Sequence, residues 1–438
     1  MQDPNGQPGA PQQGGPTPQP NNWYGQPVPP QPPNQPNPPY SINKEPRAPM
    51  SSKARIALAI VALVVLAGLV LLAVAGQLFM FLEIGIVFVP LAGLAALAYV
   101  GARTPAASIG AYLLLVFTGI GVLFNSLTYI LFGVVKDWDK FNDLLSNPTG
   151  VDRATILDIF SPDAGPRLLL GVLLLFIAAI LSAAMLVKPV RKAVARIMPI
   201  DPDNFVHKIA LSILTLILLT SFIPLIVLGG IPPLLTLVTG AGNGALNNAL
   251  SIGPESLVYQ FIWTIPAALV AAGWPIVRTL RAAFVRLGFV RPSLTQVGFG
   301  VGFGLALAAI AAFVIDPGIN AIWQSLGWPT TDANAFNQLL SDVVTPLGAV
   351  LIGVTAGVGE EMAVRGLLQP RIGLIASNLV FTSLHAFQYG PDALLSVFVI
   401  GLILGIVRAR SNTTTSAIVH GVYDFALVIS SIIFVVNP

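Results

Sequence analysis

The 438-residue chain has no cysteine and only three histidines, and charged residues make up 9% of it. Without cysteine there is no disulfide, no thiolate nucleophile and no Cys-ligated zinc site. A soluble globular domain carries about 25% charged residues, so this scarcity of charge excludes a chain wetted on all sides. It gives no sign of a nucleic-acid partner either. The pI is near 9.2, but the basic residues sit at the ends of apolar runs and form no groove-like patch. What fills the chain is hydrophobic residue, 55% by count, at a mean hydropathy of +0.79. Repeated apolar runs approach or exceed the roughly 20 residues that a helix needs to cross hydrocarbon. They predict an all-α, polytopic membrane helix bundle whose first partner is the lipid bilayer.

Residues 1–50 are different material. PGAPQQGGPTPQPNNWYGQPVPPQPPNQPNPPY is built largely from Pro, Gln, Asn and Gly, and 16 of the 37 prolines fall before residue 51. Such a stretch has no apolar face to bury and is expected to be a disordered, partly polyproline-II tail. It has no apolar start of the kind a cleaved signal peptide needs. Trp23 and Tyr24 are the anchors it offers to a docking partner, whose identity is open. From Lys53 onward about eleven transmembrane spans can be drawn, near 56–76, 79–100, 108–134, 167–187, 209–229, 257–277, 297–315, 343–368, 372–388, 392–407 and 413–435. The ninth and tenth are short, as a tilted or partly re-entrant segment would be.

Lysine and arginine set the expected topology. With a cytoplasmic N-terminus, 18 of the 22 basic residues fall on the cytoplasmic side. The other four, Lys136, Lys140, Arg153 and Arg167, fall around one acidic outer loop, 135–166. The reverse orientation inverts that ratio, and an odd number of spans then places the C-terminus outside. In the outer loop, DWDKFND is a poor calcium loop, because Phe141 takes a ligand position and the glycine is missing; the loop is expected to be solvated. A second outer loop, 316–342, holds Trp323 and Trp328, which suit an aromatic belt. VRTLRAAFVRLGFVRPSL (277–294) reads as a basic amphipathic segment on the cytoplasmic leaflet. GFGVGFG (298–304) carries two overlapping GxxxG spacings, which suit close helix packing.

Three acidic residues, Glu360, Glu361 and Asp424, and two histidines, His385 and His420, are expected at membrane depth, with His207 at a helix mouth. Ionisable side chains in lipid are costly and are functional candidates by default. Glu361 and Arg365 are i,i+4 and can pair on one helix face, which leaves Glu360 about 100° around the helix. His420 and Asp424 share that spacing, as do Phe381 and His385. A glutamate, two histidines and an aspartate are the parts that activate a water and stabilise an oxyanion. The same four, Glu360, His385, His420 and Asp424, could instead ligate Zn2+, although the helical zinc signature HExxH is absent. A packing ion pair or a transporter's proton relay would use the same side chains. Asn125 and Asn378 read as helix–helix hydrogen-bonding partners.

EEMAVR (360–365), FTSLH (381–385) and HGVYD (420–424) resemble, in order, the motifs EExxxR, FxxxH and HxxxN/D of the CPBP family, the CAAX-protease and bacteriocin-processing (Abi) intramembrane proteases. RGLLQPRI after the first motif and LLSVFVIGLILGIVRARSNTTTSAIVHG before the last also resemble the family's text. The likeness covers 350–430. It divides the chain into the tail (1–50), accessory transmembrane helices (51–290) and a catalytic core (291–438). The resemblance implies an intramembrane endopeptidase of the cell membrane, acting on a hydrophobic peptide or membrane-protein substrate, metal-dependent or glutamate-dependent. By position it implies that Glu360 activates the water with His385 and that His420 and Asp424 hold the oxyanion. It makes Glu361 and Arg365 a structural or substrate-orienting pair, with Phe381 shaping the pocket. CAAX-processing members carry Asn where this chain has Asp424. An ionised Asp cannot donate to an oxyanion, whereas a protonated one can, and Asp also favours a metal.

Two readings stay open: the protease, with or without zinc, and a transporter or non-catalytic scaffold built on the same charged cluster. Depth adds a constraint. Counted by helix rise, Glu360 and His420 lie roughly 12 Å from their cytoplasmic helix ends and His385 roughly 20 Å. They meet only if the ninth span is tilted or starts outside the bilayer. The second is expected, with a cavity open to the cytoplasm.

Overall fold

The structure, a computed structural model, describes residues 67–146, 152–240 and 252–436. The expectations for the tail and for most of the first apolar span fall outside these residues. Among the described residues the chain is helical, and extended pairing is confined to one antiparallel bridge between Val135 and Phe160. Lipid imposes this, since a backbone without water must satisfy its own hydrogen bonds within each segment. Ten helices carry the architecture: α1 Leu78–Gly101, α2 Pro105–Gly133, α3 Ala164–Ala184, α4 Phe205–Val227, α5 Pro254–Ala271, α6 Leu294–Ser325, α7 Pro346–Ile372, α8 Leu374–Leu384, α9 Pro391–Arg410 and α10 Thr413–Val436. Eight of them, all but α5 and α8, are long and apolar enough to cross a membrane. The expected count of about eleven is therefore met only to eight among the described residues. α5 loses apolarity to Glu255 and Gln260, and α8 has only 11 residues.

The helices α1–α4 pack around Leu94, Leu115, Ile130, Leu175, Ile209, Leu216 and Ile223. Their buried polar contacts are hydroxyls. Ser182 and Ser212 meet across α3 and α4 at 3.0 Å, and Ser126 donates to the Thr220 carbonyl at 2.9 Å. α5 is tied to α1 by the Trp263 indole, which donates to the Phe81 carbonyl at 2.9 Å.

Three expectations are corrected. The outer loop is not simply solvated: Trp138–Ser146 and Arg153–Ile159 are short helices, and Trp138, Phe141 and Ile159 are buried with Leu237. Trp138 and Phe141 share a face at i,i+3, while Lys140 stays outside and bridges Asp137 and Asp158. The basic segment 277–294 docks on protein rather than resting only on lipid. Its short helix Leu280–Arg286 buries Ala283 against a cluster that includes Leu287 and Met362, and Arg286 donates to the Gly366 carbonyl at 3.1 Å. Burial and the neighbouring Arg371 and Arg278 push the Arg286 pKa down to about 10. Finally, Glu83 falls inside α1 and Asp316 inside α6, so acidic residues within the spans are more than the three expected.

Small residues draw the C-terminal helices together. A Cβ on Gly357 of α7 would stand 2.6 Å from the Ala417 carbonyl oxygen of α10, and one on Gly353 would stand 2.6 Å from that of Gly421. On the other side of α10, a Cβ on Gly300 or Gly304 of α6 would strike Ile418 or Val422. Half of GFGVGFG is thus a packing face, as its spacing suggests; Gly298 and Gly302 face open space. Gly373, at φ +85°, gives the left-handed turn that folds α8 back from the end of α7.

Candidate active site

α7 presents the two adjacent glutamates through an unusual backbone. Two π-helical stretches, Thr355–Glu360 and Met362–Leu368, meet at Glu361. The π turn is rare and is frequently found at functional sites. Here it delivers two neighbouring carboxylates to different surroundings.

Glu361 is fully enclosed, at 0% exposure. Its Oε1 lies 3.5 Å from Arg365 Nη1 and accepts from His420 Nδ1 at 3.0 Å, and its Oε2 accepts from the Ser416 hydroxyl at 2.6 Å. The i,i+4 pair read from the sequence is present, but Glu361 does more than pair with Arg365. A buried carboxylate is tolerable only when its lone pairs are met, and here partners from α7 and α10 meet them. Arg365 in turn donates from Nη2 to the Gly401 carbonyl of α9 at 3.0 Å, with its guanidinium 4.2 Å from the centre of the Phe381 ring. One ion pair therefore ties α7, α8, α9 and α10.

His420 is held at both nitrogens. Nδ1 faces Glu361, and Nε2 lies 3.3 Å from Asp424 Oδ2. A nitrogen lone pair and a carboxylate lone pair repel at this distance, so the Nε2–Oδ2 axis holds a proton on one side or the other. His385 is arranged differently. Its Nδ1 lies 3.0 Å from the Phe381 carbonyl, which can only accept, so Nδ1 carries the proton and Nε2 of the neutral ring keeps its lone pair. The ring packs on Phe381 (centroids 4.7 Å) and stacks on Tyr389 (5.8 Å). Phe381 also meets His420 edge-on at 6.2 Å, so it is a shared wall between the two imidazoles.

Glu360 is the contrast. It is partly exposed and makes no hydrogen bond or ion pair among the described residues. Its charge lies within electrostatic reach of Arg365, Tyr389, His420 and Asp424. A carboxylate in such a place is free to take a water. Among the described residues no three His, Asp or Glu side chains converge as a metal ion requires. Glu360, His385, His420 and Asp424 do not fit a common ion in this arrangement.

Several contacts escaped the sequence reading. Ser416 stands one turn before His420 on α10, the same i,i+4 register that links His420 and Asp424, so the signal was there. Asp316 of α6 lies within electrostatic reach of Tyr389 and Tyr423. Asp392 at the start of α9 accepts from the Thr331 hydroxyl at 2.6 Å and its amide at 2.9 Å, which anchors the turn after His385. Asn378 donates to the Phe398 carbonyl at 2.8 Å, the helix–helix role expected of it, and Gln369 does the same to Gly405 at 2.8 Å. His207, at the mouth of α4, accepts from the Asp201 amide at 3.0 Å, away from this cluster.

Residues 342–426 match the Rce1-like family model, described as type II CAAX prenyl endopeptidase Rce1-like. The matched segment contains α7 to α9, most of α10 and all three motifs. No curated protein and no solved structure matches the chain.

Proposed function

We propose that this chain, which an Rce1-like domain at 342–426 assigns to the CPBP/CAAX-protease family, is an intramembrane endopeptidase. It hydrolyses a peptide bond of a hydrophobic or membrane-associated substrate with water activated by Glu360 and His385. The observation that supports this best is the unequal treatment of two neighbouring glutamates. Glu361 is consumed by Arg365, His420 and Ser416, whereas Glu360 keeps its lone pairs for a water.

The steps follow from the groups present. A water between Glu360 and His385 gives up a proton as its oxygen attacks the scissile carbonyl carbon. The His385 tautomer fits this task, since Nε2 has the free lone pair. The C–O π bond becomes an oxyanion, which needs a donor. His420 supplies Nε2–H when the proton it shares with Asp424 sits on the imidazole, and Glu361 holds the ring in place from the other side. Collapse breaks the C–N bond, and the proton taken from the water passes to the leaving amine. Asp424 thereby serves as the proton partner of His420 where an asparagine would be a fixed donor. Arg365 and Phe381 position Glu361, His385 and His420. The Lys and Arg distribution supports a multi-pass protein of the cell membrane with a cytoplasmic N-terminus and an extracytoplasmic C-terminus.

The test is proteolysis by full-length protein in proteoliposomes, read by mass spectrometry. The probes are a prenylated CAAX-type peptide and an unprenylated hydrophobic peptide. Wild type cuts at least one of them and Glu360→Gln cuts neither. Equal cleavage by both proteins sinks the reading. Solute uptake that depends on Glu360, with no peptide bond cut, would replace it with the transporter.

A further inference from the structure

A cavity of about 430 Å³ opens between the α1–α2 turn and the start of α4, and no residue of α7–α10 lines it. Its walls are Gly101, Arg103, Ser108, Tyr112, Phe205 and Lys208, closed by the 102–105 turn. Two of these are cations and none is a carboxylate. Lys208 is held without an acid. Its ammonium sits 5.0 Å from the Tyr112 ring centre and 4.8 Å from that of Phe205, and it donates to the Tyr112 hydroxyl. Rings and a phenol orient the charge without neutralising it. Arg103, exposed at the end of α1, forms no ion pair among the described residues. The hydroxyls of Thr104 and Ser108 are spent on the carbonyls of Val100 and Pro105. The Tyr112 hydroxyl, which accepts from Lys208, keeps its own proton to donate. The N-terminus of α2 lies in the same wall, with no side chain capping it. Gly101 keeps the floor close, since a Cβ there would stand 2.8 Å from the Ser108 backbone.

We infer that this cavity binds a phosphate group, that of an anionic phospholipid headgroup. The volume suits a headgroup, and the donors come from the α1–α2 turn, α4 and α2: a guanidinium fork, an ammonium and a phenol. The α2 wall beside it is apolar and exposed at Ile109 and Leu113, so acyl chains have an apolar surface to follow out of the cavity. Basic pockets between membrane helices recognise anionic headgroups by this chemistry. Free phosphate shares the chemistry and is the alternative source.

The experiment is thermal unfolding of the full chain in detergent. Short-chain phosphatidylglycerol, phosphatidylcholine of the same chain length, and inorganic phosphate are added separately. Phosphatidylglycerol raises the midpoint saturably, and the other two do not at the same concentration. Arg103→Gln and Lys208→Met each weaken the apparent affinity by about fivefold, the contribution of one basic side chain near an anionic headgroup. Arg196→Gln, a basic residue outside the cavity, leaves it unchanged. Arg103 is exposed, so its substitution does not threaten folding and keeps the test informative if Lys208→Met is unstable. A shift by inorganic phosphate equal to that by phosphatidylglycerol would overturn the lipid assignment in favour of a free anion. Equal shifts by the two lipids, or wild-type affinity in Arg103→Gln, would overturn the site.

Discussion

In the α1–α4 bundle the buried polar groups are hydroxyls, and Ser126, Ser182, Ser212 and Thr220 among them donate to backbone carbonyls. In α7–α10 buried hydroxyls are joined by two carboxylates, Glu361 and Asp392, a guanidinium, two amides and an imidazole. Both regions face the same packing problem, since lipid offers helices little hydrophobic reason to associate. The first solves it with apolar side chains and small polar donors. The second accepts charge, and its central ion pair, Glu361 with Arg365, touches more than one helix. A buried ion pair is weak evidence of stabilisation in general, since desolvation offsets its attraction. Its presence in one region and not the other therefore argues for a chemical use of the second, and the partly exposed Glu360 beside the enclosed Glu361 marks where that use lies.

The contrast can be broken at several points. The largest effect is expected at His385. His385→Gln should lower peptide cleavage about 100- to 10,000-fold, the range for loss of a general base. The unfolding midpoint should move little, because its structural bond is one neutral contact to Phe381. Cleavage kinetics and a melting curve on the same preparation check both halves. Next comes Glu361→Ala, which strands Arg365 in the interior and should destabilise the protein by about 3–5 kcal/mol. Glu361→Ala combined with Arg365→Met should recover part of the loss in denaturation measurements. Should the double variant be no better than the single, the cost is packing and not an orphaned charge.

How much of this could be read beforehand follows from where each signal lies. The i,i+4 pairs Glu361–Arg365, Phe381–His385 and His420–Asp424 are local, and all three are in contact. The link from Glu361 to His420 is 59 residues long in sequence and depends on how α7 and α10 are rotated against each other. No periodicity states that rotation. The π turns around Glu361 are likewise set by packing. Of the expected spans, α5 and α8 fall short of a crossing helix for different reasons, polar residues in α5 and length in α8. The acidic 135–166 segment misled because its charges outnumber its aromatics, yet Trp138 and Phe141 decide its fold.

Smaller effects sharpen the comparison. Gly357→Leu forces α7 away from α10 at the Ala417 carbonyl and should cost about 1–3 kcal/mol by overpacking, with cleavage falling further than stability because Glu361 loses its hold on His420. Ser182→Ala in the α3–α4 interface should cost only about 0.6 kcal/mol, as interhelical hydrogen bonds in membranes typically do. It should leave cleavage at the wild-type rate. A loss of activity there would mean that the two regions are coupled.

The most direct test compares Glu360→Gln with Glu361→Gln in one preparation, reading peptide cleavage and thermal midpoint together. The account predicts that Glu360→Gln keeps the wild-type midpoint and loses cleavage, while Glu361→Gln lowers the midpoint as well. Cleavage by Glu360→Gln at the wild-type rate would contradict it.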